Sequence, residues 1–321
     1  MNSKRLFLGV DGGATRCRAR LRDSGGSVLA EAGGAGANIY VDFEAAIGVI
    51  SATITQVMAA ASLAPAEKRG IAVGLGLAGV GSPEDEGRVA ARFAGFAGVR
   101  VANDAVTACL GAHAGGDGAV VIAGTGSAGL VRLRGTNFPI GGRGFILGDD
   151  GSAARIGHEA LRHAMRAHDG LDVASLLTRQ LMARFRDDPV MLEQWALTAR
   201  PSDYGALAPI VFDAAEQGDA VGVAIVRRAG GAIAALAQAL RRLGGERIAL
   251  VGGLADAIRP FLPAEAAALV RPPLLDATDG AILLAGGKVS DPVAEPFGAV
   301  EHRSHAAVAS AAPGPSDRSH R

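Results

Sequence analysis

The chain has 321 residues, more than one hydrophobic core usually serves, so two domains with a cleft between them are the first expectation. Hydrophobic residues make up 49% and charged residues 20%, which supplies cores and excludes a largely disordered chain. Lysine plus arginine equals aspartate plus glutamate at 32 each; this excludes the overall basic field of a nucleic-acid or anionic-membrane binder and points to a small-molecule partner.

Residues 6 to 10 (LFLGV) read as a buried strand, Asp11 to Thr15 as a tight turn, and CRARLRD as a second strand of alternating polarity. Residues 24 to 27 close a hairpin into a third strand, VLAEA. Apolar residues at helical spacing from Phe43 to Ser62 precede Pro65 and a strand at Ile71 to Leu77. A short strand at 99 to 102 feeds a helix from Asp104 to Ala114, which puts Asn103 and Asp104 at a strand end, where open α/β sheets bind ligands. From Gly118, GAVVIAGTGSAGLVRLRG repeats the order of LFLGVDGGATRCRARLRD; setting Gly12 over Gly124 places Arg20 over Arg132 and suggests two domains on one plan. Helical patterns follow at 150 to 191 and 206 to 243, then a strand at 248 to 251. After Lys288 periodicity is lost, and residues 288–321 read as a disordered tail.

The cysteines Cys17 and Cys109 are too few for a disulfide scaffold, a four-cysteine zinc site or an iron–sulfur cluster within one chain. The N-terminal apolar run ends in an aspartate and two glycines, unlike a signal-peptide cleavage site, and the longest apolar stretches are alanine-rich and interrupted. The expectation is a cytoplasmic protein with no membrane span.

Three glycine turns each leave a strand: DGGAT at 11 to 15, GTGS at 124 to 127 and VGGLAD at 251 to 256. Glycines there allow close approach of a ligand, and exposed N–H groups make a concave seat for phosphate. GxxxxGK[ST] is absent, and the GxGxxG spacing at 74 to 79 (GLGLAG) and 124 to 129 (GTGSAG) lies in strand pattern and does not open a helix, so neither the P-loop nor the dinucleotide fingerprint is met. Asp11 stands where a carboxylate can hold magnesium through water, or simply bond within its turn. Asp104 can accept the proton of an attacking hydroxyl, or serve with Asn103 as a helix cap. In GGRGFILGDDGS, at 141 to 152, Asp149 and Asp150 can bind sugar hydroxyls or cap the next helix.

In this order, LGVDGGATR, ANDA, IAGTGS, GGRGFILGDDGSAARIG and VGGLADAI resemble the phosphate 1, connect 1, phosphate 2, sugar-site and adenosine motifs of the BadF/BadG/BcrA/BcrD type ATPases, within the actin-like ATPase superfamily, and among them the bacterial glucosamine and N-acetylglucosamine kinases. The resemblance spans residues 6 to 287. It implies an α/β protein of two ribonuclease H-like domains, with mixed sheets flanked by helices and an interdomain cleft: residues 1–115 and 116–287. It implies ATP held by Gly12, Gly13, Thr15, Gly124, Thr125 and Gly126, with Gly230, Gly252 and Gly253 at the adenosine. Mg2+ would lie near Asp11, and the amino sugar would meet Asn38, Asp104, Gly142, Arg143, Gly144 and Asp149. Asp104 would be the base, and a homodimer is compatible with the family. Ala14 departs from the third glycine of many members and is tolerable if its φ is negative; Arg143 replaces an aromatic residue of some relatives, at the ring or N-acetyl contact. The alternative within the superfamily is an ATPase activator of a dehydratase, which needs cysteines placed to share a cluster between subunits. A sugar-sensing repressor on the same scaffold is not expected, because the first strand is read to begin by residue 6, ahead of any DNA-binding helix pair, and the cysteine zinc motif is missing from the sequence.

Overall fold

A computed structural model describes residues 5–290. The tail expected to be disordered lies outside the described residues beyond Ser290.

Strands β1 (Leu6–Gly12), β2 (Arg16–Arg22) and β3 (Val28–Ala35) form an antiparallel meander, and β4 (Ile71–Leu77) and β5 (Gly98–Asn103) join β1 in parallel, in the order β3-β2-β1-β4-β5. The sequence IAVGLGL of β4 is buried at every position, as a parallel strand covered on both faces must be. Helix α1 (Phe43–Ala60) starts where the Asp42 carboxylate accepts the Ala45 N–H, and its stripe of Ile47, Ile50, Ile54 and Val57 packs on β2 and β3. Helices α2 (Pro83–Arg92) and α3 (Asp104–Ala112) flank β5.

The second sheet repeats this plan with β6 (Gly118–Ala123), β7 (Ser127–Leu133), β8 (Thr136–Gly141), β9 (Ile248–Val251) and β10 (Val270–Arg271), in the order β8-β7-β6-β9-β10. Between β8 and β9 run α4 (Gly144–Leu147), α5 (Ala153–His168), α6 (Leu176–Arg184), α7 (Pro189–Thr198), α8 (Pro201–Gly205), α9 (Ala208–Glu216) and α10 (Ala220–Arg242). The helical stretch expected at 150 to 191 is thus broken, because Ser175 and Asp188 each cap a fresh helix. Strand β8 escapes the sequence pattern: it is an exposed edge with little alternation, and Pro139 is tolerated only at such an edge. Helices α1 and α10 are long and apolar enough to cross a membrane by length and composition, yet each packs one face into a core.

After α11 (Ala255–Ile258) and α12 (Ala264–Leu269), the chain crosses back, and α13 (Ala277–Leu284) lies on the first sheet against β1, β4 and α3. Glycines make room for it. A Cβ on Gly74 would stand 1.9 Å from the Ala281 carbonyl, and one on Gly280 would stand 1.8 Å from the Thr107 carbonyl. The start of α13 is held by buried ion pairs. Arg20 of β2 forks onto Asp276 at 2.7 and 2.8 Å, and Arg22 forks onto Asp279 at 2.8 Å twice. Asp276 also caps the helix by accepting the Asp279 N–H. With both acids bound in this way, neither arginine is left as an uncompensated charge in the interior.

Candidate active site

In-register pairing aligns Gly12, Leu77 and Asn103 across β1, β4 and β5, so the DGGAT turn and Asp104 emerge from one edge of the first sheet. On the second sheet Ile122 pairs with Val251, which brings the GTGS and VGGLAD turns to one edge. The two edges meet. The hydroxyls of Thr15 and Thr125, from equivalent turns, lie 2.6 Å apart across the cleft.

The first hairpin turn runs through residues 13–16 between the paired Gly12 and Cys17, whereas the second runs through 124–126 between Ala123 and Ser127. One fixed sequence offset therefore cannot carry both strands of the repeat. In the first turn the glycines serve close approach: a Cβ on Gly12 would meet Leu77, and Gly13 exchanges backbone bonds with Arg16 and Ala37. Ala14 is not among the residues with positive φ, so its methyl group is accommodated. Gly252 does need its freedom, with φ of 102° and the Ala123 carbonyl 2.4 Å from where a Cβ would stand. Gly252 and Gly253 are exposed at the end of β9, while Gly230 is buried where α10 crosses the backbone of Phe261.

Asp11 pairs directly with Arg18 in the β1–β2 register and accepts a bond from its guanidinium at 3.1 Å. Burial pushes the Asp11 carboxyl above the usual range, Arg18 opposes this, and the charge of Asp276 adds to it. Asn103, not Asp104, is the cap of α3: its side chain accepts the Ala105 N–H and its amide donates to the Val80 carbonyl. Asp104 is half-buried, and its carboxyl is pushed up to about 6, first by burial and then by the negative charge of Asp11. A magnesium ion takes one or two carboxylates and fills its remaining positions with phosphate oxygens and water, which the Asp11–Asp104 pair beside the phosphate turns fits.

Asn38 is half-buried; its Oδ1 accepts the Tyr40 N–H at 2.9 Å, and its Nδ2 has no partner among the described residues. In the 141–152 loop, Gly142 and Gly144 adopt φ of 63° and 77°, and Arg143 is exposed. Asp149 has φ of 60° and accepts the Ser127 N–H at 3.2 Å, while Ser127 donates its hydroxyl to the Asp150 carbonyl. Ser152 caps α5, which releases both aspartates from that role. The sequence reading passed over Phe145, which anchors this loop. Its ring stacks on Tyr204 at 5.4 Å, stands edge-on to His158 at 5.5 Å and lies under the Arg155 guanidinium. Arg155 also donates to the Gly148 carbonyl at 2.9 Å. It passed over Arg18 as well.

The model of the BadF/BadG/BcrA/BcrD ATPase family matches residues 8–285. The chain belongs to this family. It is 35% identical over 280 residues to a glucosamine kinase of Vibrio cholerae, covering 87% of this chain and 95% of that relative. It is 29% identical over 235 residues to an N-acetyl-D-glucosamine kinase of Dictyostelium discoideum, covering 68% of this chain and 74% of the relative. A solved structure from Chromobacterium violaceum, described as a candidate N-acetylglucosamine kinase, superposes with a TM-score of 0.83 at 34% identity, covering 88% of this chain and 99% of that one. The two like-ordered mixed sheets with their helices are the two-lobed ribonuclease H-like architecture of this family. In this family member Cys17 and Cys109 are both buried, and burial pushes each thiol up to about 11.

Proposed function

We propose that this family member is an ATP-dependent amino-sugar kinase that transfers the γ-phosphoryl group to the 6-hydroxyl of glucosamine or N-acetylglucosamine. The observation that carries the reading is Asp104: a carboxylate raised to about 6, within electrostatic reach of Asp11 and at the same sheet edge from which the DGGAT turn emerges to meet the GTGS turn. The Vibrio and Dictyostelium relatives supply the substrate class.

In this mechanism Asp104 accepts the proton of the sugar hydroxyl as the phosphorus is attacked. Thr15 and Thr125 exchange their mutual hydrogen bond for phosphate oxygens, and amides of the 12–13 and 124–126 turns take up charge on them. Gly252 and Gly253 leave open backbone beside the adenosine, and Gly230 fixes α10 behind it. Asn38, with the 142–144 backbone, Arg143 and Asp149, orients the sugar. Mg2+, held near Asp11, would neutralise charge developing on the phosphates. The lobes that would close on the substrates are residues 1–115 and 116–287, save that α13 packs on the sheet of the first and moves with it, and closure would exclude water as a rival acceptor.

Coupled ADP release with glucose, glucosamine, N-acetylglucosamine and N-acetylmannosamine, compared by kcat/KM, tests the reading. A strong preference for one amino sugar is expected. ATP hydrolysis that no sugar stimulates would sink it.

A further inference from the structure

A groove of about 600 Å³ runs between α5 and α10, lined on one side by Arg155, His158, Glu159, Arg162 and Arg166 and on the other by Arg228. It begins at Asp150 and Gly151, next to the sugar loop, yet includes none of Asp11, Thr15, Asn38, Asp104, Thr125 or Asp149. Its volume falls in the range of small-ligand sites.

The basic groups of this groove are unequally satisfied. Arg228 pairs with Glu159, and Arg166 forks onto Asp172 at 2.8 and 2.9 Å. Arg155 gives its bonds to the carbonyls of Gly148 and Ile146 and has no carboxylate partner among the described residues. Arg162, one helical turn past His158, has neither an ion pair nor a hydrogen bond among the described residues. Two guanidinium groups without a paired carboxylate, one of them within electrostatic reach of Asp149, thus bracket an imidazole in a concave, half-polar groove that Asp150 and Glu159 also line. A guanidinium fork matches the oxygens of a phosphate, and a tetrahedral dianion has enough acceptors for two guanidinium groups and a ring N–H together, which a carboxylate does not.

We propose that this groove is a second, non-catalytic anion site that binds inorganic phosphate or a small phosphate monoester between Arg155, Arg162 and His158. Arg155 would join the site to the catalytic cleft, because the same guanidinium holds the Gly148 carbonyl of the sugar loop and covers Phe145. Burial first, and then the Arg162 and Arg155 cations on either side of His158, hold its imidazole below the usual range, so an arriving dianion leaves a signature on that ring.

The test follows the imidazole resonances of the full chain during titration with inorganic phosphate, with His158 assigned by loss of its signal in His158→Gln. Phosphate should shift His158, whereas potassium chloride at matched ionic strength should not. Arg162→Gln should weaken the phosphate effect about tenfold, the loss expected for one charge-assisted contact, while Arg162→Lys should retain most of it. Arg162 is exposed and outside the cleft, so turnover without added phosphate should stay unchanged in both variants. Glucosamine 6-phosphate separates the two sources: tighter binding than phosphate identifies a sugar ester as occupant, and equal binding identifies the free anion. An unshifted His158, an equal shift with chloride, or an undiminished phosphate response in Arg162→Gln would overturn the proposal. None of these readings depends on the substrate of the cleft.

Discussion

The Asp104 carboxylate must be ionised to accept a proton, and its folded-state pKa of about 6 sets where that happens. The rate constant kcat/KM should therefore rise as pH passes upward through about 6 and level off above it. Asp11→Asn removes the neighbouring negative charge that helps hold Asp104 up, so the rising limb should move to lower pH; a limb that stays in place would show that the two carboxylates are not coupled in the working enzyme. Asp104→Asn should bind ATP normally and lose roughly 10²- to 10⁴-fold in turnover, measured by coupled ADP release. Near-normal turnover would remove Asp104 from its role. The place of Asp104 at the junction of a strand and a helix was legible in the sequence, but its role was not, because Asn and Asp there also read as a helix cap, a part that Asn103 takes. Phe145 and Arg18 were not legible. Their meaning comes from partners, Tyr204 and Asp11, that only the folded loop and the hairpin register bring to them.

Helix α13 rests on glycines, and two substitutions separate that contact from ordinary helix propensity. Gly280→Ala forces a Cβ against the Thr107 carbonyl and should cost about 1–3 kcal/mol or more, read as a lower Tm. Gly231→Ala, on the exposed face of α10 with nothing within 4 Å, should instead raise stability by about 0.5–1 kcal/mol. Equal effects at both positions would mean that the α3–α13 contact is not the constraint described. At this scale the strands β1, β2, β4 and β6 were readable from buried runs and glycine turns. The docking of α13 was not: its acids look like ordinary capping residues until Arg20 and Arg22, more than 250 positions away, are seen to answer them.

The 2.6 Å contact of Thr15 with Thr125 makes the cleft a gate whose state can be fixed chemically. A Thr15→Cys, Thr125→Cys variant should form a disulfide on mild oxidation and lose ATP binding, and regain it on reduction. The native thiols, buried and raised to about 11, should stay silent in that reaction. Oxidised protein that still binds ATP at full strength would show that nucleotide does not need to part these turns. The path of the chain also has a consequence for synthesis. The first sheet is finished early, but the helix that covers Gly9 and Gly74 and pairs with Arg20 and Arg22 is synthesised more than 250 residues after those arginines. Until then the first lobe carries two arginines facing an unfilled seat, so the order of translation makes the second lobe, with its own large core, the natural one to mature while the first waits for its closing helix.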